Sequence, residues 1–166
     1  MKTLLLIRHA KSSWNDPDVD DFDRPLNKRG KQNAPEMANR LRTRGIVPEL
    51  LIASPAKRTR NTARLMAKEW RYDKDAILLE DELYLCYAST FLKMITKIDD
   101  DIDTVAIFAH NPGITDFANY ITQEIRIDNI PTTGVFAVKA NIDSWKEFDS
   151  ANKNFLFFDY PKAEVV

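Results

Sequence analysis

The chain has 166 residues, which suits one domain with its own core, since domains commonly run to ~100–150 residues. Lys plus Arg number 24 and Asp plus Glu 25, a balance that argues against a general nucleic-acid binder, and no nucleic-acid motif appears. The one cysteine, Cys86, excludes an internal disulfide and a cysteine-based metal cage, and points to a reducing, cytoplasmic setting.

Taken in chain order, Thr3–Ile7 reads as a strand buried on both faces. The opening MKTLLLIRH has too short an apolar core for a secretory signal, because Arg8 interrupts it. The Asp-rich loop 15–25 follows, without the ordered spacing of a calcium loop. Lys28–Arg44 has helical periodicity, with a break or kink expected near Pro35. Leu50–Ala53 is a second buried strand. Lys57–Trp70 is a helix whose stripe is Thr59, Thr62, Ala63, Met66 and Trp70. Ser89–Ile98 is a short helix, Val105–Ala109 a third buried strand and Gly113–Thr122 another helix. Val135–Ala140 and Asn154–Tyr160 read as further strands. Strands alternating with helices imply an α/β fold with a largely parallel sheet, spanning 1–166 as a single domain. No uncharged run approaches the ~20 apolar residues of a membrane span, so no membrane partner is expected.

The chemistry converges where the three core strands end. The first runs into Arg8-His9, the second into Ser54-Pro55-Ala56-Lys57-Arg58, the third into His110-Asn111-Pro112-Gly113. Ser54-Pro55 and Asn111-Pro112 each read as a polar N-cap followed by proline at the first helical position. In open parallel sheets ligands bind at the carboxyl ends of strands, and helix N-termini there attract anions. Arginine forks match phosphate and carboxylate oxygens in pairs. Taken singly, Arg8 could pair with an aspartate of the loop, His110 could be a satisfied strand-end histidine, and Arg58 could lie on a solvated helix face. Their joint occurrence at matching strand exits points instead to a tetrahedral oxyanion site, with phosphate the leading candidate. No G-x-S-x-G elbow, Walker loop or dinucleotide fingerprint is present. The chain's two histidines lack zinc-ligand spacing, so neither metal nor cofactor is expected.

These motifs resemble a known family. RHAKSSWN resembles the R-H-G-E-S-x-W-N signature of the histidine phosphatase superfamily, which includes the phosphoglycerate mutases. Ala10 stands for the usual Gly and Lys11 for the usual Glu. RPLNKRGKQNA is similar to L-[ST]-x-x-G-x-x-Q-A, with Asn27 in place of Ser/Thr, and SPAKRTRNTA to S-P-x-x-R-x-x-x-T. FAHNPG resembles the second-histidine segment. The matches run in order from Leu5 to Gly134. The short length, HNP and PTTG are similar to the SixA-type phosphohistidine phosphatases.

The resemblance implies a three-layer α/β/α sandwich of phosphoglycerate-mutase type. It implies a phosphatase that works through a phosphohistidine on His9, with Arg8, Arg58 and His110 holding the transferred group. Asn15 and Asn111 would add hydrogen bonds to it. The superfamily's acid falls in EDELYLC, where Glu82 is favoured over Asp81. The implied substrate is a phosphohistidine protein or a small phosphorylated molecule, with no metal. A mutase of the phosphoglycerate type, or an idle module that binds phosphorylated partners, are the alternatives.

Overall fold

A computed structural model describes residues 1–162. Its centre is a six-stranded mixed sheet: β1 (Lys2–Arg8), β2 (Leu50–Ala53), β3 (Leu78–Leu79), β4 (Thr104–Ala109), β5 (Val135–Ala140) and β6 (Lys153–Asp159), in the order β3-β2-β4-β1-β5-β6. The first four strands along this order are parallel, and β5 and β6 are antiparallel to their neighbours. The helices are α1 (Lys28–Thr43), α2 (Lys57–Glu69), α3 (Ala88–Ile95) and α4 (Gly113–Ile121).

The apolar runs are buried on both faces, as expected of a sheet covered on each side. Leu4 and Leu6 of β1 join Val105 and Ile107 of β4 beneath Phe91 of α3 and Phe117 of α4. Leu5 and Ile7 join Ala106 and Phe108 on the other side, against Met37 and Leu41 of α1 and Met66 of α2. Side chains alternate along a strand, so four consecutive apolar residues feed two cores at once. This is a three-layer α/β/α arrangement. Among the described residues no helix is long and apolar enough to cross a membrane.

Several local expectations change. Helix α1 runs unbroken through Pro35. The carbonyl that loses its partner belongs to Lys31, a solvent-exposed residue, so the missing N–H is tolerated there. Ser54-Pro55 does not start α2, whose first helical residue is Lys57, and Pro112 is the residue before α4 rather than inside it. The edge strand β3 has only two residues, both exposed, too short to leave a periodic signal. Two glycines are dictated by close approach. A Cβ on Gly30 would overlap the Lys11 carbonyl, and one on Gly113 would overlap the Cys86 carbonyl.

Candidate active site

Strand register brings the three exits level. Arg8 lies beside Ala109 and Ala53 beside Phe108. The pairing continues one residue further, with His9 N–H donating to Ala109 O at 3.2 Å and Ser54 N–H to Phe108 O at 3.0 Å. His9, Ser54 and His110 thus leave the sheet side by side. The imidazoles of His9 and His110 are 5.4 Å apart, and both are buried.

The backbone around His9 is tightly held. Ala10 N–H donates to Thr62 Oγ1 at 2.8 Å. Thr133 N–H donates to both Arg8 O (3.1 Å) and His9 O (3.0 Å). Thr133 sits at φ 63°, a left-handed conformation that a β-branched residue adopts only when its surroundings enforce it. His9 Nδ1 lies 2.8 Å from Ala10 O. A carbonyl only accepts, so Nδ1 carries the proton and Nε2 keeps its lone pair. Burial is the main cause that pushes the His9 pKa down. The Ala10 hydrogen bond opposes it, and Arg8, Arg58 and Arg24 add to it, to about 3. His9 is therefore a neutral imidazole at pH 7 with a nucleophilic Nε2.

His110 Nε2 is 2.8 Å from Ser54 Oγ, and Nδ1 is buried with no hydrogen-bond partner among the described residues. A hydroxyl proton donated by Ser54 to Nε2 makes Nδ1–H a free donor. Burial, then the charges of Arg58 and His9, push the His110 pKa down to about 3. Arg8 uses one terminal nitrogen on Ile130 O at 3.1 Å, and its Nε is buried without a partner; Arg58 Nε is likewise. A buried donor without a partner costs about 1–3 kcal/mol. An oxyanion is the kind of partner that such donors take. Arg60 Nε, also unpartnered, lies outside this group of interacting charges.

The aspartate pairing considered for Arg8 occurs at Arg58. Arg58 donates to Asp21 O at 2.7 Å and to Asp21 Oδ2 at 3.0 Å. The Tyr84 hydroxyl also donates to Oδ2, at 2.5 Å, and Arg24 Nε to Oδ1 at 3.2 Å. Burial pushes the Asp21 carboxyl up, but Tyr84, Arg58 and Arg24 outweigh it and hold the pKa at about 2.

The remaining expected residues are distributed differently. Asn15 is exposed; its backbone N–H donates to Ser13 Oγ at 3.1 Å. The Asn111 side chain donates to Asn129 Oδ1 (2.6 Å) and Ile130 O (3.0 Å) and accepts from Thr115 (2.5 Å). Its amide braces the same carbonyl that holds Arg8. Glu82 lines a groove with Leu50, Lys93 and Lys97, along the α3 side of the sheet. No hydrogen bond or ion pair joins it to either histidine among the described residues.

Three residues of the site are not among those expected from sequence: Asp21, described above, Ser54 and Arg24. Ser54-Pro55 has the pattern of a cap, although the Ser54 hydroxyl serves His110. Arg24 is buried, stacks on Trp14 with 3.5 Å from guanidinium carbon to ring centroid, and donates to Ser12 at 2.5 Å. Its position in RPLN, just before the α1 cap, was the available signal.

The model of the histidine phosphatase superfamily (branch 1) matches residues 4–85. An uncharacterised chloroplastic protein of Arabidopsis thaliana is 30% identical over 155 residues, 88% of this chain and 70% of its own length. The chain belongs to the histidine phosphatase superfamily. An uncharacterised Mycobacterium leprae protein is 29% identical, covering 94% of this superfamily member and 100% of itself. The SixA protein of Agrobacterium tumefaciens, a proposed phosphohistidine phosphatase, superposes with TM-score 0.82 at 25% identity, covering 96% of this chain and 98% of its own. A protein histidine phosphatase SixA complexed with tungstate superposes with TM-score 0.81 at 17% identity, covering 96% and 97%. The fold of this superfamily member is thus of the SixA type.

Proposed function

We propose that the chain is a metal-independent phosphatase that carries the phosphoryl group on His9 Nε2. The observation that supports this best is the neutral, oriented His9 with His110 at 5.4 Å and buried, unpartnered donors on Arg8, Arg58 and His110. In the first step Nε2 attacks phosphorus while the bond to the leaving group breaks. Arg8, Arg58 and His110 Nδ1–H hold the equatorial oxygens, which is the main requirement of a dissociative transfer. Water then attacks the phosphohistidine, releasing phosphate and restoring His9. Guanidinium charge does the neutralising that a metal would otherwise do. The tungstate in the SixA neighbour is a tetrahedral oxyanion of the same kind.

The choice of acid bears on the substrate class. Asp21 is the carboxylate tied to the pocket, and at a pKa of about 2 it is ionised and donates no proton. Glu82 faces the α3 groove. A leaving group basic enough to take up a proton from water before it departs, such as the imidazole of phosphohistidine, needs no such acid. An alkyl ester does, and a general acid typically contributes ~10²–10⁴-fold. We therefore favour a phosphohistidine protein as substrate over small alkyl phosphates.

The test is a single-turnover panel of one phosphohistidine peptide, one aryl phosphate and one alkyl phosphate, in the presence of chelator. The expected order is phosphohistidine fastest and alkyl slowest, with Glu82→Gln unchanged on all three. Activity that disappears on chelation and returns with a divalent ion would contradict the proposal. So would alkyl turnover that depends on Glu82.

A further inference from the structure

A second cationic site adjoins the first. A cavity of about 250 Å³ opens between the start of α1, the residue two places beyond His9 and the end of β6. Lys11, Arg29 and Lys162 line it, together with Asn33, Thr132 and Tyr160. Among the described residues no carboxylate lines it.

Its cations differ from the others nearby. Arg40 and Arg44, further along and just beyond α1, are neutralised by Asp159, and Arg24 and Arg58 by Asp21. The side chains of Lys11 and Arg29 enter no ion pair among the described residues. In a chain of net charge −1 this is a local concentration of positive charge rather than a general excess. Arg29 lies in the first turn of the 16-residue α1, where the helix dipole adds to it, and Asn33 is one turn on, on the same face.

The cavity abuts the backbone that carries His9. Lys11 is two residues from His9, so their Cα atoms are within about 7 Å. That segment is fixed: Lys11 O accepts from the N–H of Asn27, the α1 cap, at 3.0 Å. Thr132 precedes the Thr133 whose N–H holds the Arg8 and His9 carbonyls. A group held by Lys11 and Arg29 would therefore lie within a few bonds' reach of a phosphoryl group at His9.

We infer that this cavity binds a second anionic group of the substrate, a carboxylate or a further phosphate several bonds from the transferred phosphoryl group. The inference rests on the phosphatase reading and adds the substrate's second recognition element. Arg29 supplies a fork for a carboxylate or phosphate edge and Lys11 a point charge, while Asn33 and Thr132 offer further hydrogen bonds. The anion comes either from a small phosphorylated acid or from an acidic residue beside the phosphorylated one in a polypeptide.

Affinity of non-hydrolysable ligands tests this independently of turnover. Calorimetry with benzylphosphonate and its 4-carboxy analogue should show the carboxylate form binding about tenfold tighter, the worth of one charge-assisted contact. Arg29→Gln and Lys11→Gln should abolish that advantage, with benzylphosphonate affinity falling by less than that of the carboxy analogue. Equal affinity of the two ligands for the wild type would overturn the inference, as would an equal loss for both in the variants. The phosphatase reading fails separately, if the wild type turns over no phosphorylated substrate. Phosphohistidine peptides with Asp or Gly flanks then identify the source. Faster turnover of the Asp peptide that is lost in Arg29→Gln assigns the anion to a polypeptide. Dependence confined to the small phosphonate assigns it to a small acid.

Discussion

Ser54 shows how a single hydroxyl sets up the site. It is fully buried at the end of β2, and its Oγ is 2.8 Å from His110 Nε2. By donating there it fixes the tautomer that leaves Nδ1–H for an oxyanion. Ser54→Ala removes that preference without altering the strand. We expect kcat/KM to fall about three- to tenfold, the worth of one ordinary hydrogen bond, with the inhibition constant of inorganic phosphate rising in step. Unchanged kinetics would mean that His110 is oriented by burial alone. At this scale the sequence was legible for His9, His110, Arg8 and Arg58, because each stands at or near a strand exit and strand exits can be read from apolar runs. It was not legible for Ser54, Arg24 or Asp21. Ser54-Pro55 has the local pattern of a helix cap, and only the tertiary position of His110 gives the hydroxyl a different partner. Arg24 and Asp21 come from an irregular loop, whose path no periodicity reports.

Among the elements, α1 departs most from local expectation. Pro35 falls inside a 16-residue helix that nonetheless runs unbroken. Asn27 caps it by accepting from Gly30 N–H at 2.8 Å. Its buried stripe of Ala34, Met37, Ala38 and Leu41 holds it on the sheet. Packing on that face outweighs the lost hydrogen bond, an outcome that propensity alone does not foresee. Pro35→Ala restores the bond but loosens the unfolded chain, and a net gain of about 2 kcal/mol is expected. A urea midpoint that falls instead would show that the proline fits a local geometry which alanine does not keep. Activity should not change. The other elements were legible to within a few residues, because each buries an apolar stripe of regular period. The exception is β3, two residues that pair with β2 and little else.

For the whole molecule, the site is a liability as well as a function. His9 and His110 are held near pKa 3, against 6.5 in an unfolded chain. Between these values the unfolded state binds protons that the folded state refuses, so stability rises with pH over this window and falls as pH drops below about 6.5. Above 6.5 the two histidines contribute no slope. The loss is at most about 1.4 kcal/mol per pH unit for each histidine. Urea midpoints of the wild type should therefore fall steeply from pH 6.5 to pH 4.5, and those of a His9→Gln/His110→Gln double variant should fall less. Equal slopes would mean that the imidazoles are not held neutral. Asp21 acts lower, losing its contribution as pH falls from 3.8 towards 2, outside that comparison.

The proposal that neutral His9 receives the phosphoryl group is addressed directly by one measurement. The enzyme is mixed with phosphohistidine peptide or aryl phosphate, quenched in alkali within the first turnover, and its peptides are mapped by mass spectrometry under alkaline conditions. One phosphoryl group per chain, acid-labile and located on His9, is the predicted result, with neither label nor turnover in His9→Ala. Wild-type turnover without label on His9, or a His9→Ala variant that hydrolyses substrate at the wild-type rate, would contradict the account.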